Sequence, residues 1–277
     1  MGHHYLPQHY LRGFAIDRSI WVHDLMHTRS YRTQVKSVAN ETAMYTVDLE
    51  AYLANEVESP AQPAIEKLRE LTVLSGGERE ALARYVIAMW KRVPSGRMRV
   101  AATIPEVADS VNAEIQRGLE DAATEDPSLS DIAESRRREV NALIAKYKQD
   151  PPDHFWHYTV GTQATPRMVH GLLEMQWAIL VSEREHFITS DNPVFFFAAE
   201  GIGSPQSELS VPLSSRVALW AARSRAPKPY FLPVERSVVL EINRRTARNT
   251  NRFLYTKQES PWALRFGAKK HALSRLW

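Results

Sequence analysis

The chain has 277 residues and a mass of 31.6 kDa, enough for one large domain or two small ones with a real hydrophobic core. Apolar residues make up 44% and charged residues 24%, which excludes a disordered, collagenous or fibrous chain, and the absence of Cys excludes a disulfide framework, a thiolate metal site and a Cys nucleophile. The net charge of +3 is unevenly spread: from position 201 onward 14 Lys/Arg face 4 Asp/Glu, so an anionic partner would meet the C-terminal third, unless that surface docks on the acidic remainder of the same molecule.

No apolar run reaches the ~20 residues that span a bilayer, and positions 1–14 lack the basic and apolar regions of a signal peptide; a cytoplasmic protein is expected. Met1 to Thr46 reads as a loop or short helix followed by a β-hairpin, with Ile20, Trp21, Val22, Leu25 and Tyr31 flanking a break at His27–Ser30. Helical spacing follows at 63–74, at 78–92, at 104–123 and at 129–147. Thr165-Pro166 then signals the start of a helix running to Leu180. Short β-like runs come next, at His186–Thr189, Val194–Ala198, Leu209–Leu213, Val217–Ala222 and Val238–Ile242. Asn243 is positioned to cap a basic helix over 244–252. The expected fold is α+β: a helical middle packed on a mostly antiparallel sheet of C-terminal strands, joined by the N-terminal hairpin. It is read as a single domain over 1–277, divisible into a helical lobe at 60–150 and a sheet-rich part at 151–277 with 1–46.

Nucleotide-loop and catalytic signatures are missing. There is no GxGxxG, GxxxxGK[ST], HExxH, GxSxG or SxxK. Chemistry must therefore come from less regular clusters. The opening stretch holds His3, His4, Gln8, His9, Tyr10 and Arg12 within ten positions; its histidines suit metal ligation or acid–base work, and equally suit backbone hydrogen bonds. Thr189-Ser190-Asp191-Asn192-Pro193 is a corner that either aims a carboxylate and an amide into a cleft or closes an Asx turn. Glu41, after Asn40, reads as a base, a ligand or a first-turn carboxylate. Arg92 and Arg97 flank Pro94 and suit a phosphate or carboxylate, or simply end a helix. Arg244, Arg248 and Arg252 fall four apart, on one helix face, and form the best nucleic-acid candidate.

The run His3-His4-Tyr5-Leu6-Pro7-Gln8-His9-Tyr10-Leu11-Arg12-Gly13-Phe14 resembles the opening of the bacterial "domain of unknown function 4238" family. Trp21-Val22-His23-Asp24, Ala39-Asn40-Glu41 with Tyr45, Arg92-Val93-Pro94, Phe187 through Val194, Pro212-Leu213-Ser214 and Asn243 to Tyr255 fit the same family in order. The resemblance spans nearly the whole chain. It implies that His3 and His4 belong to the protein rather than to a purification tag. Position 9 is His where an aromatic is usual, which shifts weight to His4, Gln8, Tyr10 and Arg12. The expected function is that of a hydrolase on an anionic substrate, foremost a phosphodiester, as in a nuclease-like toxin or defence effector. His3, His4, Glu41, Asp191 and Asn192 would be catalytic, with or without a divalent metal ion. Gln8, Tyr10, Arg12, Arg92 and Arg97 would bind substrate. The alternative is a non-catalytic protein that binds nucleic acid or a partner through the basic C-terminal helix.

Overall fold

The computed structural model describes residues 2–161, 166–184, 186–197, 201–223 and 228–277. Thr165 and Ala198, named above in a helix start and a strand, lie outside them. The chain divides into two compact units, Met1–Ser95 with Val160–Trp277, and Gly96–Thr159.

In the larger unit, strand β1 (Gly2–His4) leads to the short helix α1 (Gln8–Leu11) and a 3-10 turn, Arg12–Phe14. The hairpin β2 (Ser19–Asp24) and β3 (Arg29–Gln34) comes next, then β4 (Asn40–Thr42). Helix α2 (Val47–Tyr52) continues through a π-helical turn, Leu53–Glu58, into α3 (Ser59–Arg69). Helix α4 (Gly76–Arg92) opens on a capping box. The Ser75 hydroxyl accepts from the Glu78 N–H, and the Glu78 carboxylate accepts from the Ser75 N–H, satisfying two donors that a helix start leaves open.

The smaller unit is helical. It holds most of α5 (Pro94–Glu125), α6 (Ser130–Gln149) and most of α7 (Asp153–Val160). Lys148 pairs with Asp109 at 2.7 Å and Asn112 bonds Asn141 at 3.0 Å, tying α5 to α6.

The last third of the larger unit runs α8 (Pro166–Leu173), β5 (Gln176–Val181), β6 (Thr189–Ser190), β7 (Phe195–Phe196), β8 (Glu208–Pro212), β9 (Val217–Ala222) and β10 (Phe231–Pro233). Helix α9 (Arg236–Asn249), β11 (Phe253–Thr256) and α10 (Ala263–Ala268) complete it. One sheet has the order β10-β5-β9-β8-β7 and is antiparallel except for β10 beside β5. A second has the order β3-β2-β11-β6, so the N-terminal hairpin pairs directly with the C-terminal strand. The α+β architecture stands, with two main sheets rather than one.

Two elements differ from the sequence reading. The segment 174–180 is strand β5, not the end of a helix: α8 stops at Leu173, and the run Trp177 to Leu180 is buried on both faces of the sheet, where apolar continuity replaces helical periodicity. Conversely Val238–Ile242 lies inside α9. The β-branched run suggested a strand, yet Val239, Ile242 and Thr246 repeat at helical spacing and are buried. Val239 and Ile242 pack on Ala178, Leu180, Ala218 and Trp220 of the five-stranded sheet. The same helix touches β6 of the other sheet, so α9 bridges the two.

Candidate functional site

Strand β1 pairs antiparallel with β4, placing His3 opposite Glu41 and His4 opposite Asn40. The His3 Nδ1 accepts from the Tyr45 N–H at 3.0 Å, and its ring stacks on Tyr45. The His4 Nδ1–H donates to the Val38 carbonyl at 3.2 Å, while its Nε2 accepts from the Gln8 amide at 3.2 Å. Both His4 nitrogens are therefore engaged, and Gln8 is spent on holding His4. Tyr10 is fully buried. Its hydroxyl donates to the Pro212 carbonyl at 2.8 Å and accepts from Thr189 at 2.6 Å. Arg69, which sequence reasoning missed, spreads its guanidinium over the carbonyls of His9, Tyr10 and Leu213. Gly13 lies beneath it. A Cβ there would sit 2.5 Å from the Leu213 oxygen and 2.6 Å from Arg69 Nη2, so the motif needs glycine for close approach. Burial holds the His9 imidazole down at a pKa of about 4, helped by Arg69, Arg12 and Arg92, and it is neutral at pH 7.

The acidic corner is occupied at its carboxylate, while the buried Asn192 Oδ1 has no partner among the described residues. Asp191 is buried at the end of β6, and its carboxylate accepts from the backbone N–H groups of Asn251, Arg252 and Phe253 at 2.7–2.9 Å. Burial pushes this carboxyl up, and the backbone donors pull it back. Asn192 donates to the Asn249 carbonyl at 2.9 Å; Asn249 returns 2.7 Å and 3.0 Å bonds to the carbonyls of Asn192 and Val194. Asn243, expected to cap a helix, instead sits mid-helix. It accepts from the Ile188 N–H and donates to the His186 carbonyl. Four side chains thus staple the end of α9 to the 186–194 segment.

The arginines divide into tied and open. Arg92 is buried and binds Glu58 and the His4 carbonyl, the latter at 2.6 Å, and its own carbonyl accepts from the Tyr45 hydroxyl. Arg97 lies in the smaller unit, with both oxygens of Asp153 at 2.6 and 2.9 Å. Arg252 lies beyond the end of α9 and grips the fully buried Asp24 through two bonds of 3.0 and 2.8 Å. That ion pair, with His27 also bonded, holds the Asp24 carboxyl far below the usual carboxylate range. Arg244 faces Glu241 at 3.5 Å, and Arg248 and Arg12 are exposed. The expected three-arginine face is therefore reduced to Arg244 and Arg248.

The opening motif and the 186–194 segment meet where the Tyr10 hydroxyl bonds Thr189. The polar atoms of His4 and Asp191 are nonetheless taken by neighbours. Among the described residues no group of three His, Asp or Glu is placed to hold a metal ion. An open concavity lies elsewhere. A cleft of about 410 Å³ runs between α9, the 256–260 turn and α10, lined by Arg184, Arg236, Lys257, Glu259, Trp262 and Phe266. Trp262 is 47% exposed and meets Phe266 edge-on. Only the C-terminal charge excess pointed to this cleft in the sequence; its members are scattered over some eighty positions.

A family model described as "Protein of unknown function (DUF4238)" matches residues 2–260. The chain belongs to this family. No curated protein and no solved structure matches it. The DUF4238 match takes in every motif residue above, the cleft's Arg184, Arg236, Lys257 and Glu259 included. It stops short of Trp262 and Phe266.

Proposed function

We propose that this chain binds a single-stranded nucleic acid, or a similar phosphate-bearing polyanion, without cleaving it. The observation that carries the reading is the cleft itself. Arg184, Arg236 and Lys257 come from three separate segments, against one carboxylate, Glu259, and beside a half-exposed tryptophan. A cationic groove with an aromatic platform suits a phosphate backbone with stackable bases. Arg244 and Arg248 lie on the helix that forms one wall, outside the cleft's lining. A hydrolytic centre would require His4 and Asp191 to exchange protons with a substrate. Their engaged nitrogens and oxygens favour a structural duty for both.

The test is fluorescence anisotropy of a labelled single-stranded RNA across a salt series, with the RNA checked for cleavage on a gel. Binding should weaken steeply with salt. Lys257→Ala should lower the salt slope by about one unit, and Trp262→Ala should cost about 1–3 kcal/mol of affinity. RNA that binds both variants as tightly as the parent, or RNA that is cut, would overturn the proposal.

A further inference from the structure

The segments that carry the family resemblance leave a cavity beside the four-stranded sheet. Across the four-stranded sheet, Tyr31, Val22, Tyr255 and Thr189 stand in register on successive strands. The N-terminal motif covers this row, with Tyr10 bonded to Thr189. Over Val22, Tyr31 and Tyr255 the cover is incomplete. A cavity of about 140 Å³ remains, lined by Tyr5, Tyr31, Phe253 and Tyr255, with Ser37 and Asn40 at an exposed rim. By volume it has room for a small organic group of roughly benzene size.

We propose that this four-ring cavity is a binding site for a small organic cation, of the methylated or quaternary ammonium class. Aromatic faces attract such cations through their quadrupoles, and clustered rings are the recurrent solution for them. No lining residue is charged, so nothing inside repels a cation. Two negative charges lie within reach of the inner rings, Asp191 acting on Tyr5 and Tyr255 and Glu41 on Tyr5, alongside the Arg252 cation, which acts on Tyr5 as well. The outer rings already attract cations. The Arg29 guanidinium lies 5.4 Å from the Tyr31 ring centre and that of Arg252 lies 4.5 Å from that of Phe253. The buried Asp24 carboxylate offsets one of these two charges, pairing closely with Arg252 and lying 3.9 Å from the exposed Arg29. The site is independent of the basic cleft, which has the opposite charge preference.

Isothermal titration calorimetry with choline, and in parallel with its uncharged carbon isostere 3,3-dimethylbutan-1-ol, tests the proposal on the full chain. Choline should bind saturably, and the isostere at least tenfold more weakly. Tyr31→Leu and Phe253→Leu, both at half-buried positions, should each weaken choline binding about tenfold while the urea midpoint stays near that of the parent. Absence of choline binding, equal binding of the isostere, or full affinity in both variants would overturn it. If Phe253→Leu loosens the fold, Tyr31→Phe is the second probe. It keeps the ring, and choline affinity within about twofold of the parent is expected; a tenfold loss would assign the binding to the hydroxyl and overturn the cage.

Discussion

Asp191 shows what a buried carboxylate does when three backbone N–H groups converge on it. It fixes the turn between α9 and β11 as a side-chain substitute for backbone pairing. Asp191→Ala would leave three donors without an acceptor; since a hydrogen bond to a charged group contributes about 1.5–3 kcal/mol, urea denaturation should show a loss of at least about 2 kcal/mol. Asp191→Asn, which retains an acceptor oxygen, should lose less. Gly13→Ala should cost about 1–3 kcal/mol, because the new methyl meets a carbonyl oxygen and a guanidinium rather than a flexible chain end. Acid sensitivity follows from His9 and His23, both held by burial at a pKa of about 4. Unfolded histidine titrates near 6.5, so below that pH the unfolded state binds the extra protons. Stability is then fully present above about pH 6.5 and falls as the pH drops toward 4. Asp24, depressed by Arg252, extends the loss below its ordinary pKa near 4, while Asp191, pushed up by burial, takes its proton earlier when folded and tempers the fall. His9→Phe removes a buried nitrogen that has no partner among the described residues. Denaturation at pH 7 and pH 5 should show equal or higher stability for this variant and a smaller acid-induced loss; a larger loss would refute the assignment.

Helix α9 is the element on which most of the architecture turns. One face presents Val239 and Ile242 to the five-stranded sheet, and its polar residues Asn243 and Asn249 hold the 186–194 segment. Its buried Arg245 pairs with Glu208 at 2.7 Å, and its Glu241 accepts from the Ser274 N–H. The basic composition of 244–252 was visible in the sequence, but its sorting was not. Arg245 is buried among carboxylates, Arg252 is half-buried and locked on Asp24, Arg244 is half-buried beside Glu241, and Arg248 is exposed. Charge type is local information; which carboxylate stands opposite depends on strands far away in the chain. For the same reason Asn243 looked like a cap. An Asn at a helix end and an Asn mid-helix that pairs with a neighbouring segment are alike in sequence, and the tertiary partner decides. Asn249→Ala should lower the thermal midpoint more than Arg248→Ala, because Asn249 supplies two partly buried bonds and Arg248 is exposed; equal midpoints would contradict the stapling role.

At the scale of the whole molecule, the N-terminal hairpin completes a sheet with β11 and β6, and the opening motif closes over it. The α+β class was legible from short apolar runs after a helical middle. The motifs at 3–12 and 189–193 stood out by composition, but the hydrogen bonds their side chains make did not. Histidine, aspartate and asparagine serve catalysis and backbone satisfaction with the same atoms, and only the distances separate the two. The basic cleft was hidden for another reason, since Arg184, Arg236, Lys257 and Trp262 become neighbours only after the 256–260 turn folds against α9. Hydrogen–deuterium exchange of the full chain, with and without saturating single-stranded RNA, tests the assignment of structure to one region and binding to the other. Protection gained at 184–188 and 256–266, with 3–12 and 40–41 unchanged, is the expected result. Protection confined to 3–12 and 40–41 would place the ligand on the histidine motif and contradict the account.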